Sequence, residues 1–201
     1  MKAQKDPNGK LVLSNEQIDK AVRRIINKKK KNKTMTFTMS INGKEVTVVK
    51  YRELIDLDKL SPSSRRKVTK RYILKAFEES AVKTIDGRAI TVKSTGGADK
   101  MNFQSKHKLS LFIDDLIRTG CLRSNGPDYH NGLIHWYYYD SFFAFGNKVL
   151  YGNINIKEID GEYSFYDINK IKEVDTSTPL NMERGSNLNI NIASDDDDVK
   201  E

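Results

Sequence analysis

The chain has 201 residues but only one cysteine, four prolines, one tryptophan and three histidines. A lone Cys121 permits no disulfide within the chain and no cysteine-based zinc site. His107, His130 and His135 are too scattered for a recognisable metal motif, so neither a metal nor another cofactor is expected. Hydrophobic residues make up 37% of the chain, and no apolar run approaches the roughly 18 residues of a membrane span. The opening MKAQKDPNGK has no apolar signal-peptide core. The expectation is a protein without a membrane span that works in the cytoplasm.

Negative charge is unevenly spread and gathers most at the C-terminus. The formal charge is +8, yet residues 176–201 set Arg184 and Lys200 against Glu183, Asp195, Asp196, Asp197, Asp198 and Glu201. That tail carries −4, which leaves +12 on residues 1–175. A body so basic favours polyanions, nucleic acid first and an anionic membrane surface second. A Lys-rich but merely soluble chain is the plainer alternative.

The local pattern predicts an α+β protein. Ser14 with Gln17 forms a capping box, and Ile18, Ala21, Val22, Ile25 and Ile26 make the buried stripe of a helix that runs into Lys28–Lys33. MTFTMSINGKEVTVVKY reads as a hairpin turning at Asn42-Gly43. Ser61-Pro62 opens a second helix whose buried stripe is Val68, Tyr72, Ala76 and Phe77. Residues 1–80 therefore read as a basic helix–hairpin–helix region, too small for a generous core and expected to lean on residues 81–175 or on a partner. Residues 81–175 read as a small antiparallel sheet backed by one helix. VKTIDGRAITVK is a hairpin, Ser105 caps a helix to Thr119, and Gly120 stops that helix at C′. SNGPDYHNG is an exposed loop, and residues 133–174 form an antiparallel meander turning at Gly146-Asn147 and Asp160-Gly161. The tail, 176–201, is too polar to fold alone, although NLNINIA can be captured as a strand.

DGRAITVK, Lys100, a helix ending DDLIRTG, HWYYYDSFFAFGNKVLYGNINIK and EYSFYDINKI together resemble a known group of domains. These are the domains of phage and mobile-element polyvalent proteins in the barnase–EndoU–colicin–RelE-like nuclease superfamily, and the resemblance covers residues 80–175. It implies a helix-plus-antiparallel-sheet fold, metal-independent RNA cleavage in active members, and a place in a bacterial host cytoplasm, a virion or a larger phage assembly.

Such cleavage needs a base for the 2′-hydroxyl, an acid for the leaving oxygen and a cation at the phosphate. The candidate catalytic residues are His107, His135 and Tyr166, with Tyr163 as another hydroxyl donor. Lys100 and Lys106 are candidate phosphate clamps. Lys28, Lys29, Lys30, Lys31, Arg65, Arg66, Lys70 and Arg71 belong to basic clusters at 20–33 and 65–75 that would bind nucleic acid, RNA before DNA, or an acidic protein surface. Tyr137 and Tyr139 share the strand face of His135 and are expected beside a substrate. The reading is a phage- or mobile-element-encoded ribonuclease-like protein, a toxin or host-takeover effector. The alternative is a non-catalytic virion or cargo component, or an inhibitor of a host defence complex. Asn102 and Phe103 stand where active members tend to carry a histidine, which favours the alternative.

Overall fold

A computed structural model describes residues 4–41, 43–101 and 106–174, and the backbone of Asn189–Ile190. After a small ribbon of β1 (Gln4–Lys5) and β2 (Leu11–Val12), the Ser14 capping box starts α1 (Asn15–Lys31). Ile18, Val22, Ile25 and Ile26 are its buried stripe. Ser61 caps α2 (Pro62–Glu79) through the Ser64 N–H, with Pro62 where a missing N–H costs nothing. Val68, Tyr72, Ile73 and Ala76 are buried along it.

The rest is a sheet. The strands are β3 (Thr36–Ile41), β4 (Lys44–Lys50), β5 (Val82–Lys83), β6 (Ala89–Val92), β7 (Cys121–Pro127), β8 (His135–Phe145), β9 (Lys148–Ile159), β10 (Glu162–Val174) and β11 (Asn189–Ile190). Among the described residues nine strands form one sheet in the order β11-β3-β4-β8-β9-β10-β6-β5, with β7 beside the first half of β8. The expected meander is its centre: β8, β9 and β10 pair antiparallel in succession. Asp160 (φ 52°) and Gly161 (φ 78°) supply the two left-handed residues that the second turn needs.

The sheet expected to be small and wholly antiparallel is larger and mixed. β4 pairs parallel to β8, and β6 pairs parallel to β10. Each pair is joined through helical segments, the kind of long crossover that parallel pairing requires. The first hairpin thus joins the sheet instead of standing apart with α1 and α2. One core cluster takes in α1, α2, Tyr139, Phe143, Ile154, Ile156 and Phe165, so residues 1–80 share their core with the strands of residues 81–175.

Three local expectations change as well. The helix expected from Ser105 is α3 (His107–Ser110) and α4 (Ile113–Thr119), broken at Leu111-Phe112; Ser105 lies outside the described residues. Leu109, Phe112, Ile113, Leu116 and Ile117 are all buried, so the apolar spacing holds across the break. Gly120 has ordinary extended dihedrals, and its lack of a side chain matters because a Cβ would crowd the Leu116 carbonyl and Tyr139. The start of the expected loop is strand β7, whose polar, exposed composition hides an edge strand from periodicity.

Candidate functional site

Strand register brings one chemically rich row together. His135 on β8 lies opposite Glu158 on β9, and Glu158 lies opposite Tyr163 on β10, which lies opposite Ile90 on β6. These residues share one face of the sheet, and directly opposed residues stand about 4.5–5.5 Å apart at Cα. Tyr137, two residues along from His135, donates its hydroxyl to Glu158 Oε2 at 3.0 Å. Its ring lies 5.0 Å from the His135 ring and 5.5 Å from the Tyr163 ring. His135 Nε2 is 3.1 Å from Asn125 Oδ1 on β7.

Arg88, two residues before Ile90, completes the group. Its guanidinium carbon lies 4.4 Å from the Tyr137 ring centre and 5.6 Å from that of Tyr163. The Asp86-Gly87 turn places Arg88 there, since Asp86 contacts its Nη1 and also accepts from Thr84 and Tyr139. Arg88 Nε is buried without a hydrogen-bond partner among the described residues. A cleft of about 630 Å³ opens beside this group, lined by Asp86, Arg88, Thr91, Glu162 and Tyr163 among others. Burial, then the bond to Glu158, pushes the Tyr137 hydroxyl above its ordinary pKa, so it remains a donor that orients the carboxylate.

The other expected site residues do not assemble here. His107 lies beside Phe145, at the far end of β8 from His135, ten residues and roughly 33 Å along a strand. The two histidines therefore cannot flank one phosphate. Tyr166 follows Phe165 at a β-bulge and packs edge-on against Trp136, which faces away from His135; Lys100 Nζ sits 3.2 Å from the Tyr166 ring centre. Lys106 is held by Asp167 at 2.7 Å. Tyr139, expected beside a substrate, is fully buried under the helices, hydrogen-bonded to Asp86.

The basic clusters are largely used internally. Lys29 is a core residue whose ammonium meets Asp114 (2.7 Å), Asp115 (2.5 Å) and the Tyr72 hydroxyl (2.9 Å). Lys28 donates to the Leu54 carbonyl, and Lys30 pairs with Glu79. Arg66 and Lys70 share Asp99, and Arg71 pairs with Asp19. Lys31 is exposed, and together with Lys20, Arg23 and Arg24 it has no ion-pair partner among the described residues. These four rim a groove of about 900 Å³ whose floor includes Leu11, Leu13, Ala21, Ile55 and Leu60.

Glu158, Arg88 and Tyr137 were not among the catalytic candidates. Only the pairing of β8 with β9 and of β6 with β10 brings them to His135, and no local spacing carries that information. Among the described residues no group of histidine, cysteine and carboxylate side chains could hold a metal ion, and no helix is long and apolar enough to cross a membrane. Comparison with protein-family models, with curated proteins and with solved structures finds no match to this chain.

Proposed function

We propose that this protein is a ribonuclease-like effector that cleaves RNA without a metal, using Glu158, His135 and Arg88. The observation that carries the reading is the cross-strand row, which sets a carboxylate and an imidazole side by side with a guanidinium near them. Glu158 takes the proton of the 2′-hydroxyl, and that oxygen attacks the adjacent phosphorus. His135 gives a proton to the departing 5′-oxygen. Arg88, with its unpartnered Nε, faces the charge that builds on the phosphate. The products are a 2′,3′-cyclic phosphate and a free 5′-hydroxyl, so DNA is not a substrate. The resemblance of residues 80–175 to phage and mobile-element nuclease-like domains supports the same chemistry and a role in host takeover.

The test is cleavage of single-stranded RNA by the full chain in the presence of a chelator. Glu158→Gln and His135→Ala should each slow cleavage by about 10²–10⁴-fold, while His107→Ala should leave it nearly unchanged. No cleavage by the wild-type chain, or full activity in both variants, overturns the reading.

A second reading, a non-catalytic module in a virion, cargo or inhibitor complex, is favoured by the groove on α1. Its four cations, without carboxylate partners among the described residues, lie on one helix between Lys20 and Lys31, about 16 Å apart end to end. They suit a polyanion, RNA or an acidic protein surface. Salt-sensitive binding with no turnover would select this reading over the first.

A further inference from the structure

A third cavity lies at the opposite end of β8 from His135. It has a volume of about 270 Å³ and is lined by Asp58, Arg65, His107, Lys108, Leu109, Phe143, Phe145 and Leu150. Two of its polar groups are unsatisfied. His107 is only 9% exposed, and its Nδ1 is buried without a hydrogen-bond partner among the described residues. Arg65 is half-buried, its Nε is likewise buried and unpartnered, and its Nη2 has one long bond of 3.3 Å to the Leu60 carbonyl.

Arg65 also differs from three basic residues close to it on α2. Arg66, Lys70 and Arg71 on the same helix all have carboxylate partners, whereas Arg65 has none among the described residues. A guanidinium withdrawn from water without a counter-charge is costly, and an anion in the cavity would remove that cost. Lys108 adds a second cation at the rim, 3.1 Å from Asp58 and 4.7 Å from the Phe145 ring centre. Asp58 is the carboxylate among the described lining residues. Its side chain is 65% exposed, so its pairing with Lys108 is weak and easily exchanged for an incoming anion.

We propose that this cavity binds a terminal phosphate, a phosphomonoester held by Arg65, His107 and Lys108. The volume of 270 Å³ accommodates roughly nine water-sized atoms, enough for a phosphate and a few carbons against Leu109, Phe143 and Leu150. A phosphodiester seated there would have to carry its nucleotides outside the cavity. There is no stacking platform for a base either, because Phe145 is already met by Lys108 and by Tyr51 at 4.7 Å. Two cations and a histidine suit the dianionic monoester better than a singly charged diester. The site is independent of the cleavage reading, since it shares no residue with the His135 row.

The experiment measures binding of the full chain to two short single-stranded oligodeoxynucleotides that differ only in a 5′-phosphate or 5′-hydroxyl. Lacking a 2′-hydroxyl, neither can be cleaved. Glycerol phosphate and inorganic phosphate are titrated in parallel by calorimetry. At least tenfold tighter binding of the 5′-phosphate strand, lost in Arg65→Gln and in His107→Asn but kept in His135→Ala, assigns the site to strand ends. Comparable Arg65-dependent binding of glycerol phosphate assigns it to small phosphate esters. Should Arg65→Gln fail to fold, Lys108→Gln at the rim serves instead and should cost about half of the preference on a logarithmic scale. Equal binding of the two strands with no binding of either small phosphate overturns the proposal, as does a preference that survives Arg65→Gln or, in its place, Lys108→Gln.

Discussion

Lys29 is the residue whose replacement should do most damage for its size. Its side chain is 11% exposed, and its ammonium lies 2.7 Å from Asp114 and 2.5 Å from Asp115, whose side chains are 9% and 13% exposed. It also donates to the Tyr72 hydroxyl at 2.9 Å and the Leu111 carbonyl at 3.2 Å. Lys29→Met keeps the length of the stem but leaves two carboxylates buried with one fewer cation. Breaking a buried pair in this way costs about 3–5 kcal/mol. Arg118, 3.2 Å from Asp114 and 36% exposed, remains as partial compensation, which places the expectation near the lower bound, about 3 kcal/mol. In urea, with a slope of about 2–3 kcal/mol/M, the midpoint should fall by about 1 M. Burial and then Asp114 hold the Asp115 carboxyl above its ordinary pKa. A raised carboxyl contributes stability below its unfolded pKa and loses it as pH rises through the folded value. The deficit of Lys29→Met should therefore shrink between pH 7 and pH 4. Adding Asp114→Asn and Asp115→Asn should recover much of it at pH 7. A loss below about 1 kcal/mol at pH 7, or one that does not change with pH, would refute the reasoning.

A Cβ at Gly97 would press into the backbone carbonyl and ring of Phe165, so Gly97→Ala should destabilise by about 1–3 kcal/mol in thermal unfolding. Burial, and then Arg65, depress the His107 pKa. Its contribution to stability should be full above about pH 6.5 and fall as pH drops through the folded value, a slope that His107→Leu should remove from pH-dependent unfolding curves. Binding of polyuridylate should follow a log–log salt slope near −3, about −0.7 for each of Lys20, Arg23, Arg24 and Lys31, or about 50-fold between 50 and 200 mM. Lys20→Ala with Arg24→Ala should halve that slope, whereas Arg66→Ala with Lys70→Ala should leave it unchanged.

The parts of the fold written in short patterns were legible in the sequence. The Ser14 capping box, Ser61-Pro62, the Asp160-Gly161 turn and the apolar spacing of Leu109, Phe112, Leu116 and Ile117 all depend on neighbours within a few residues, and all occur in the structure. What was not legible depends on pairing across distance. The parallel seams of β4 with β8 and β6 with β10 leave no periodic mark, because a strand's residues do not specify which edge receives it. β7 was hidden for a related reason: Arg123, Ser124 and Asn125 are exposed, as suits an edge strand, and so read as loop.

The same division explains the candidate site. His135 could be singled out as a titratable residue ahead of an aromatic strand, but its partners are 23 positions on at Glu158 and 47 back at Arg88. They meet because β8, β9, β10 and β6 align one register row, and a slip of one residue in any strand would turn its member to the other face. Basic residues misled for the opposite reason. Lys28–Lys31 is the densest run in the chain, yet α1 turns successive residues by about 100°, and so divides that run among the core, a capped carbonyl, an ion pair and solvent. A run of like charges in sequence is therefore a poor guide to a charged surface on a helix. Positions three, four and seven apart, here Lys20 with Arg23 and Arg24, and Arg24 with Lys31, mark the face that a polyanion would meet.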